Sequence, residues 1–293
     1  MSNFVPPADP VQGAIAVRPN IFKRGGRAVR RRVQRFLAVR NLYLTENDRH
    51  LAALKNRHQG QRCFVIGNGP SLTIADLDRL GRNQEVTIAS NKIYLAFDAT
   101  DWRPTYYTVA DWLVAESSSD HIRGLDLVKL FPEALVDFFG PSQAGGNQGR
   151  HIYFRFLKQT VDSQGIYTPQ FSTDALVGFE VGQTVTGLNI QLAYYLGCNP
   201  IYLIGIDGTY QLPETKAFHH QYKQVLVAQQ ESNHFHPNYR QPGEKWSIPD
   251  PEAHEAAYQF YRDFLAAHDV KIYNASRQSV VRAFERVDLD SIL

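Results

Sequence analysis

Two cysteines in 293 residues are too few for a disulfide framework. Cys63 falls in one strand-like run and Cys198 just before another, which predicts two reduced core residues and a cytoplasmic protein. No apolar run approaches the ~18 residues that span a bilayer, and the N-terminus lacks the apolar block of a secretory signal. There is no HExxH, no CxxC, and no carboxylate at a recognised ligand spacing. A structural zinc held by His219, His220, His234 and His236 therefore lacks its usual signature, and no metal ligands are assigned. Charge is also nearly balanced, at +2, with 43% hydrophobic and 20% charged residues, the profile of an ordinary globular chain long enough for a sizeable core.

That balance hides a strong local asymmetry. Nine Lys or Arg and no acidic residue lie between Arg18 and Arg40. Val29, Val33, Phe36 and Leu37 would share one face of a helix there, so the arm could lie on an anionic membrane surface or pack on its own domain. Nucleic-acid binding is not expected, because the basic run is confined to the arm and no recognition module follows it. The chain divides into a basic extension, residues 1–57, whose Pro-rich first 20 residues should be poorly ordered, and an α/β domain, residues 58–293. A helix is expected over Arg40 to Arg57.

The domain is organised around Gly67-Asn68-Gly69-Pro70-Ser71-Leu72. It follows a short apolar strand, Arg62 to Ile66, and precedes a helix expected to begin near Pro70 and continue through Ile74 to Leu80. Glycines able to take positive φ, free N–H groups and a helix N-terminus would together cradle a phosphate. The motif lacks the third glycine of the dinucleotide fingerprint and the lysine of a P-loop. Strands are expected over Glu85 to Ala89 and Thr105 to Val109, so Asn68, Asn91 and Asp111 follow three strand ends. In a parallel sheet those ends form the ligand crevice. The pattern predicts a helix over His121 to Leu130, a flexible connection over Gly140 to Gly149 and a strand over His151 to Phe156. Thr184 to Gly187 then opens a helix, Leu188 to Leu196. It feeds the most apolar strand of the second half, Pro200 to Gly205, which ends in Ile206-Asp207 and reads as central. A polar segment, Gly208 to Lys245, carries Tyr210 and His234. A helix over Pro251 to Ala267, a strand over Lys271 to Asn274 and a tail from Phe284 complete the chain. A histidine in a polar loop facing such a crevice suits a general base.

GNGPSL, Ser90-Asn91, Thr186-Gly187, the run Tyr202 to Asp207 and Ser232-Asn233-His234-Phe235-His236-Pro237 together resemble the MptE-like (DUF115) family over roughly residues 60–290. Its members include archaeal 6-hydroxymethylpterin diphosphokinases and bacterial proteins of surface-polysaccharide synthesis. The succession is similar, more distantly, to bacterial sialyltransferases that use a CMP-activated sugar. The resemblance implies a Rossmann-like, mostly parallel sheet flanked by helices. It also implies that Asn68 and Asn91 contact a nucleotide, that Thr186 and Gly187 line the donor pocket, that Tyr210 stabilises a leaving phosphate and that His234 is the general base. Two positions depart from the sialyltransferase pattern: Ala110-Asp111 replaces an Asn, and Gln183 replaces an Arg.

Three functions follow as expectations. The first is a transferase moving a sugar from a nucleotide-activated donor, CMP-linked if the sialyltransferase resemblance extends to the donor, to a glycan or lipid-linked acceptor at the inner membrane. The catalytic set would be His234, Tyr210 and Asp207, with Gly67, Asn68, Gly69, Pro70, Ser71, Asn91, Asp111, Thr186 and Gly187 at the nucleotide. The second is pyrophosphoryl transfer from ATP to a hydroxymethylpterin, with Mg²⁺ on Asp207 and Asp111. The third is a nucleotide-binding protein without turnover.

Overall fold

A computed structural model describes residues 45–142, 149–163, 167–220 and 223–293. The basic arm, the Pro-rich start and most of the Gly140 to Gly149 connection lie outside the described residues. Thirteen strands are described: β1 (Cys63–Ile66), β2 (Val86–Ser90), β3 (Tyr106–Thr108), β4 (Val128–Pro132), β5 (Arg150–Phe154), β6 (Thr160–Val161), β7 (Tyr167–Thr168), β8 (Ile201–Ile204), β9 (Lys216–His219), β10 (Lys223–Val227), β11 (Lys245–Trp246), β12 (Ile272–Asn274) and β13 (Glu285–Arg286). The helices are α1 (Glu46–Ala52), α2 (Ile74–Arg82), α3 (Trp112–Gly124), α4 (Val136–Phe139), α5 (Val185–Tyr195), α6 (Pro251–Ala266) and α7 (Leu289–Ile292).

Eight strands form one parallel sheet in the order β13-β12-β8-β1-β2-β3-β4-β5. All four residues of β1 are buried, as a strand covered on both faces requires. Cys63 and Val65 point into a core shared with α5 and α6, while Phe64 and Ile66 point into a second core shared with α2 and α3. The chain lays β2 to β5 on one side of β1 and then returns to lay β8, β12 and β13 on the other. The order therefore reverses between β1 and β8, the place where an open parallel sheet leaves a crevice outside its carboxyl ends. A smaller antiparallel sheet, β11-β10-β9, comes from the polar segment; the sequence reading did not anticipate it.

Several expectations are corrected. The first helix of the domain begins at Ile74, not near Pro70, because Thr73 is the N-cap and its hydroxyl accepts from Asp76 N–H; Pro70 and Ser71 form a turn instead. The region expected as a helix over His121 to Leu130 holds the end of α3 and the first three residues of β4. The cause is Lys129, which looks like a solvent-facing helical residue and is fully buried. Its ammonium donates to the carbonyls of Ile122, Arg123 and Leu125 and so closes the C-terminus of α3. Burial lowers its pKa to about 8. The tail from Phe284 supplies the edge strand β13 and the one-turn α7. Of the helix expected over Arg40 to Arg57, the described residues show Glu46–Ala52, followed by turns.

Candidate functional site

The turn after β1 and the turn after β8 are locked together. Gly67 N–H donates to the Ile204 carbonyl at 2.8 Å and Gly69 N–H to the Gly205 carbonyl at 2.9 Å. A Cβ on Gly67 would stand 2.3 Å from the Gly205 oxygen, and one on Gly69 would stand 2.7 Å from the Asp207 carboxylate. Both glycines are thus demanded by close approach. Neither has the positive φ expected for it; that conformation belongs to Gly205, at +63°. Asp207 accepts from Ser71 N–H at 2.8 Å and from the Ser71 hydroxyl. Burial raises its pKa, and these two bonds from Ser71 pull it back down.

The phosphate cradle expected at this turn is therefore corrected. The N–H groups of Gly67, Gly69 and Ser71 are already engaged, Leu72 N–H closes onto Gly69, Pro70 has none, and the helix N-terminus lies three residues beyond Ser71. What the turn presents is Asn68. Its amide nitrogen donates to the Ser90 carbonyl at the end of β2 at 3.1 Å, while its Oδ1, buried, has no partner among the described residues.

Two more amides share this condition. Asn91, at φ +54°, follows β2, and its buried Oδ1 is unpartnered. Asn189, in the second turn of α5, accepts from the Thr108 hydroxyl at 2.7 Å and leaves its buried Nδ2 unpartnered. Ser90 pairs with Thr108 in register, so the three amides lie along the carboxyl ends of β1, β2 and β3. A buried polar atom without a partner costs about 1 to 3 kcal/mol. Three such atoms gather at neighbouring strand ends, where a polar ligand would satisfy them.

Thr184 caps α5 by accepting from Thr186 N–H at 2.9 Å, and the bond from Thr108 to Asn189 holds this end of the helix over the strand ends. Gly187 is required by packing, since a Cβ there would sit 3.0 Å from the Tyr261 ring. Asp111 caps α3 through Leu113 N–H at 2.8 Å and also faces the Ser247 hydroxyl at 3.4 Å.

The segment from Glu231 to Trp246 roofs the crevice. Phe235 N–H donates to the Asn68 carbonyl at 2.9 Å, which brings His234 to the same strand ends as Asn68 and Asp207. The His234 ring stacks on Tyr239 with centroids 3.7 Å apart, and the Tyr239 phenol lies against Asn91 and Lys92. His234 Nδ1 is 2.9 Å from Glu231 Oε1, while Nε2 has no partner among the described residues. Burial lowers the imidazole pKa to about 4; Glu231 opposes this, and Arg240 and Lys92 add to it. Arg240 lies 3.6 Å from the second Glu231 oxygen and 3.8 Å above the Trp246 ring. At neutral pH this is a neutral imidazole oriented by a carboxylate with one nitrogen free, the arrangement of a general base.

Tyr210 is 38% exposed and neighbours His254. Its segment is held to the roof by Gln211 N–H donating to Asn233 Oδ1 at 2.6 Å and by Asn233 Nδ2 donating to the Gln211 carbonyl at 2.9 Å. His219 and His220 sit apart from His234, against Glu116 and Trp112 of α3. Among the described residues no group of three or more His, Cys, Asp or Glu could hold a metal. The structure thus brings together Asn68, Asn91, Asp207 and His234, with Thr186 and Gly187 on the overlying helix. Sequence reasoning missed Glu231 and Asn189. Glu231 has the weak signal of an acid three residues before the histidine; Asn189 has none.

A family profile described as 6-hydroxymethylpterin diphosphokinase MptE-like matches residues 38–212. Among solved structures the chain is similar to the MAf glycosyltransferase from Magnetospirillum magneticum AMB-1, at 14% identity and a TM-score of 0.47, over 81% of this chain and 35% of that one. The chain thus spans about a third of that neighbour's length. No curated protein matches the sequence.

Proposed function

The chain belongs to the 6-hydroxymethylpterin diphosphokinase MptE-like family, and from that premise we propose that it is a nucleotide-dependent glycosyltransferase acting on a cell-envelope glycan. The observation that carries this reading is the Glu231–His234 pair set over three buried amides with unpartnered atoms. Asn68, Asn91 and Asn189 bind the nucleotide-activated donor, which is CMP-linked. The acceptor hydroxyl oxygen attacks the anomeric carbon as the bond from that carbon to the nucleotide phosphate breaks. The hydroxyl proton passes to His234 Nε2, and Glu231 holds the imidazole in the tautomer that receives it. Charge developing on the leaving phosphate faces the first turn of α5, at Thr186 and Gly187, with the Tyr210 hydroxyl alongside. Gly67, Gly69, Pro70, Ser71 and Asp207 set the position of Asn68.

The diphosphokinase alternative needs Mg²⁺ on oxygen ligands. The described carboxylates do not fit that ion well: Asp207 gives both oxygens to Ser71, and Asp111 caps α3. Melting curves separate the two readings. Stabilisation by CMP or a CMP-sugar supports sugar transfer, and stabilisation by ATP with Mg²⁺ alone replaces it with pyrophosphoryl transfer. Binding of either nucleotide without turnover on any acceptor favours a non-catalytic role.

No described helix is long and apolar enough to cross a membrane. The proposed site of action is the cytoplasmic face of the inner membrane, reached through the basic residues between Arg18 and Arg40. Deleting residues 1–40 is expected to abolish binding to anionic liposomes; unchanged binding would remove the arm from the proposal.

A further inference from the structure

The loop joining β12 to β13 walls an open cavity of about 600 Å³, lined among others by Arg277, Ser279, Val280, Arg282 and Arg286. It adjoins the turn after β8, on the side away from β2. Val280 N–H donates to the Asp207 carbonyl at 2.8 Å, and the Ser279 hydroxyl donates to the Ile206 carbonyl at 2.7 Å. The loop is braced from behind as well: Arg262 of α6 donates to the Ala283 carbonyl at 2.9 Å, and Arg282 N–H donates to the Glu255 carboxylate at 3.1 Å. Its wall is therefore fixed to the same turn that positions Asn68.

The cations differ in their partners. Arg277 is neutralised by Asp76 at 2.7 Å and Asp290 at 3.0 Å. Arg286 donates to the Ser276 carbonyl, and among the described residues neither its guanidinium nor that of Arg282 forms an ion pair. The one carboxylate bonded at Arg282 is Glu255, which binds the backbone N–H. Arg286 is near enough to help lower the Asp207 pKa. Val280, 58% exposed, forms an apolar lip. A braced cavity lined by two guanidinium groups that have no carboxylate partner among the described residues suits an anion with several oxygens, since arginine pairs readily with phosphate.

We propose that this cavity is an anion subsite that takes the phosphate or pyrophosphate group of the acceptor, on the opposite side of the β8 turn from the donor amides. Its assignment to the acceptor rests on the transferase reading, whereas the anion site itself does not.

Titration calorimetry of the full chain with inorganic pyrophosphate tests it. The wild type should bind, more weakly as salt is raised. Arg282→Gln with Arg286→Gln should weaken binding about a hundredfold, about tenfold for each charged hydrogen-bonding partner. Val280→Asp keeps both arginines and should also weaken it, while His234→Ala should not. Unaltered affinity in the double variant, or no pyrophosphate binding by wild type, overturns the proposal. The CMP melting shift should persist in the double variant, so its absence from wild type would sink the donor reading and leave pyrophosphate binding as a separate result. Retention on vesicles carrying an isoprenoid phosphate identifies a lipid-linked source. Competition by a soluble sugar phosphate identifies a soluble one, and either supports the subsite.

Discussion

Burial holds the His234 imidazole at about 4, well below its ordinary range, and so keeps it neutral at physiological pH. Turnover should then stay flat on acidification past the usual histidine range and fall only as pH approaches about 4. A rate profile with its acid limb near the unperturbed value of about 6.5 would assign the base elsewhere. His234→Ala should reduce kcat by about 10² to 10⁴ while the nucleotide melting shift is retained. Glu231→Gln removes the one neighbour that raises the imidazole pKa, so it should lower kcat and move the acid limb further down. A purely structural glutamate would lower stability and leave the profile where it was. The place of His234 at the strand-end crevice was expected from the resemblance carried by Ser232 to Pro237, and Phe235 N–H bonded to the Asn68 carbonyl puts it there. Glu231 was not expected, because a carboxylate three residues away in an irregular loop has no fixed direction until the loop folds.

The paired turns after β1 and β8 show what is legible at the scale of an element. The strands β1, β2, β3 and β8 were readable to within a residue or two, since runs buried on both faces are almost wholly apolar. The reason for the glycines was not readable, because it lies in a contact between segments 138 residues apart in sequence (Gly67 with Gly205). A methyl group on Gly67 must displace backbone, so Gly67→Ala should destabilise the protein by about 1 to 3 kcal/mol or more in urea unfolding. An equally stable variant would show the two turns to be separable. Lys129 misled for a related reason: its charge is directed at the carbonyls ending α3, a partner found only after β4 is placed beside that helix.

Across the molecule, three histidines are held neutral by burial, with pKa values of about 4 for His151, His234 and His254. Each takes up a proton on unfolding between about 4 and the free value near 6.5. Stability therefore rises with pH through that window and is fully present above it. For the fully buried His151 the contribution lost on acidification is on the order of 3 kcal/mol. Urea midpoints at about pH 7 and about pH 5 should show the loss, and His151→Phe should reduce the difference while leaving the part due to His234 and His254. A midpoint independent of pH would contradict these burials. The sheet order was readable only in part: the near-continuous apolar run marks β8 as an interior strand, but only the packed helices decide that it returns beside β1.

Phe235 N–H donates to the Asn68 carbonyl, so in the proposed reaction one residue would serve both substrates: its amide toward the donor, and its backbone holding the loop that carries His234. Such sharing favours a compulsory kinetic order in which the activated sugar enters first and thereby completes the surface its co-substrate meets. Product-inhibition patterns would reveal it, with the free nucleotide competing against the donor and not against the acceptor.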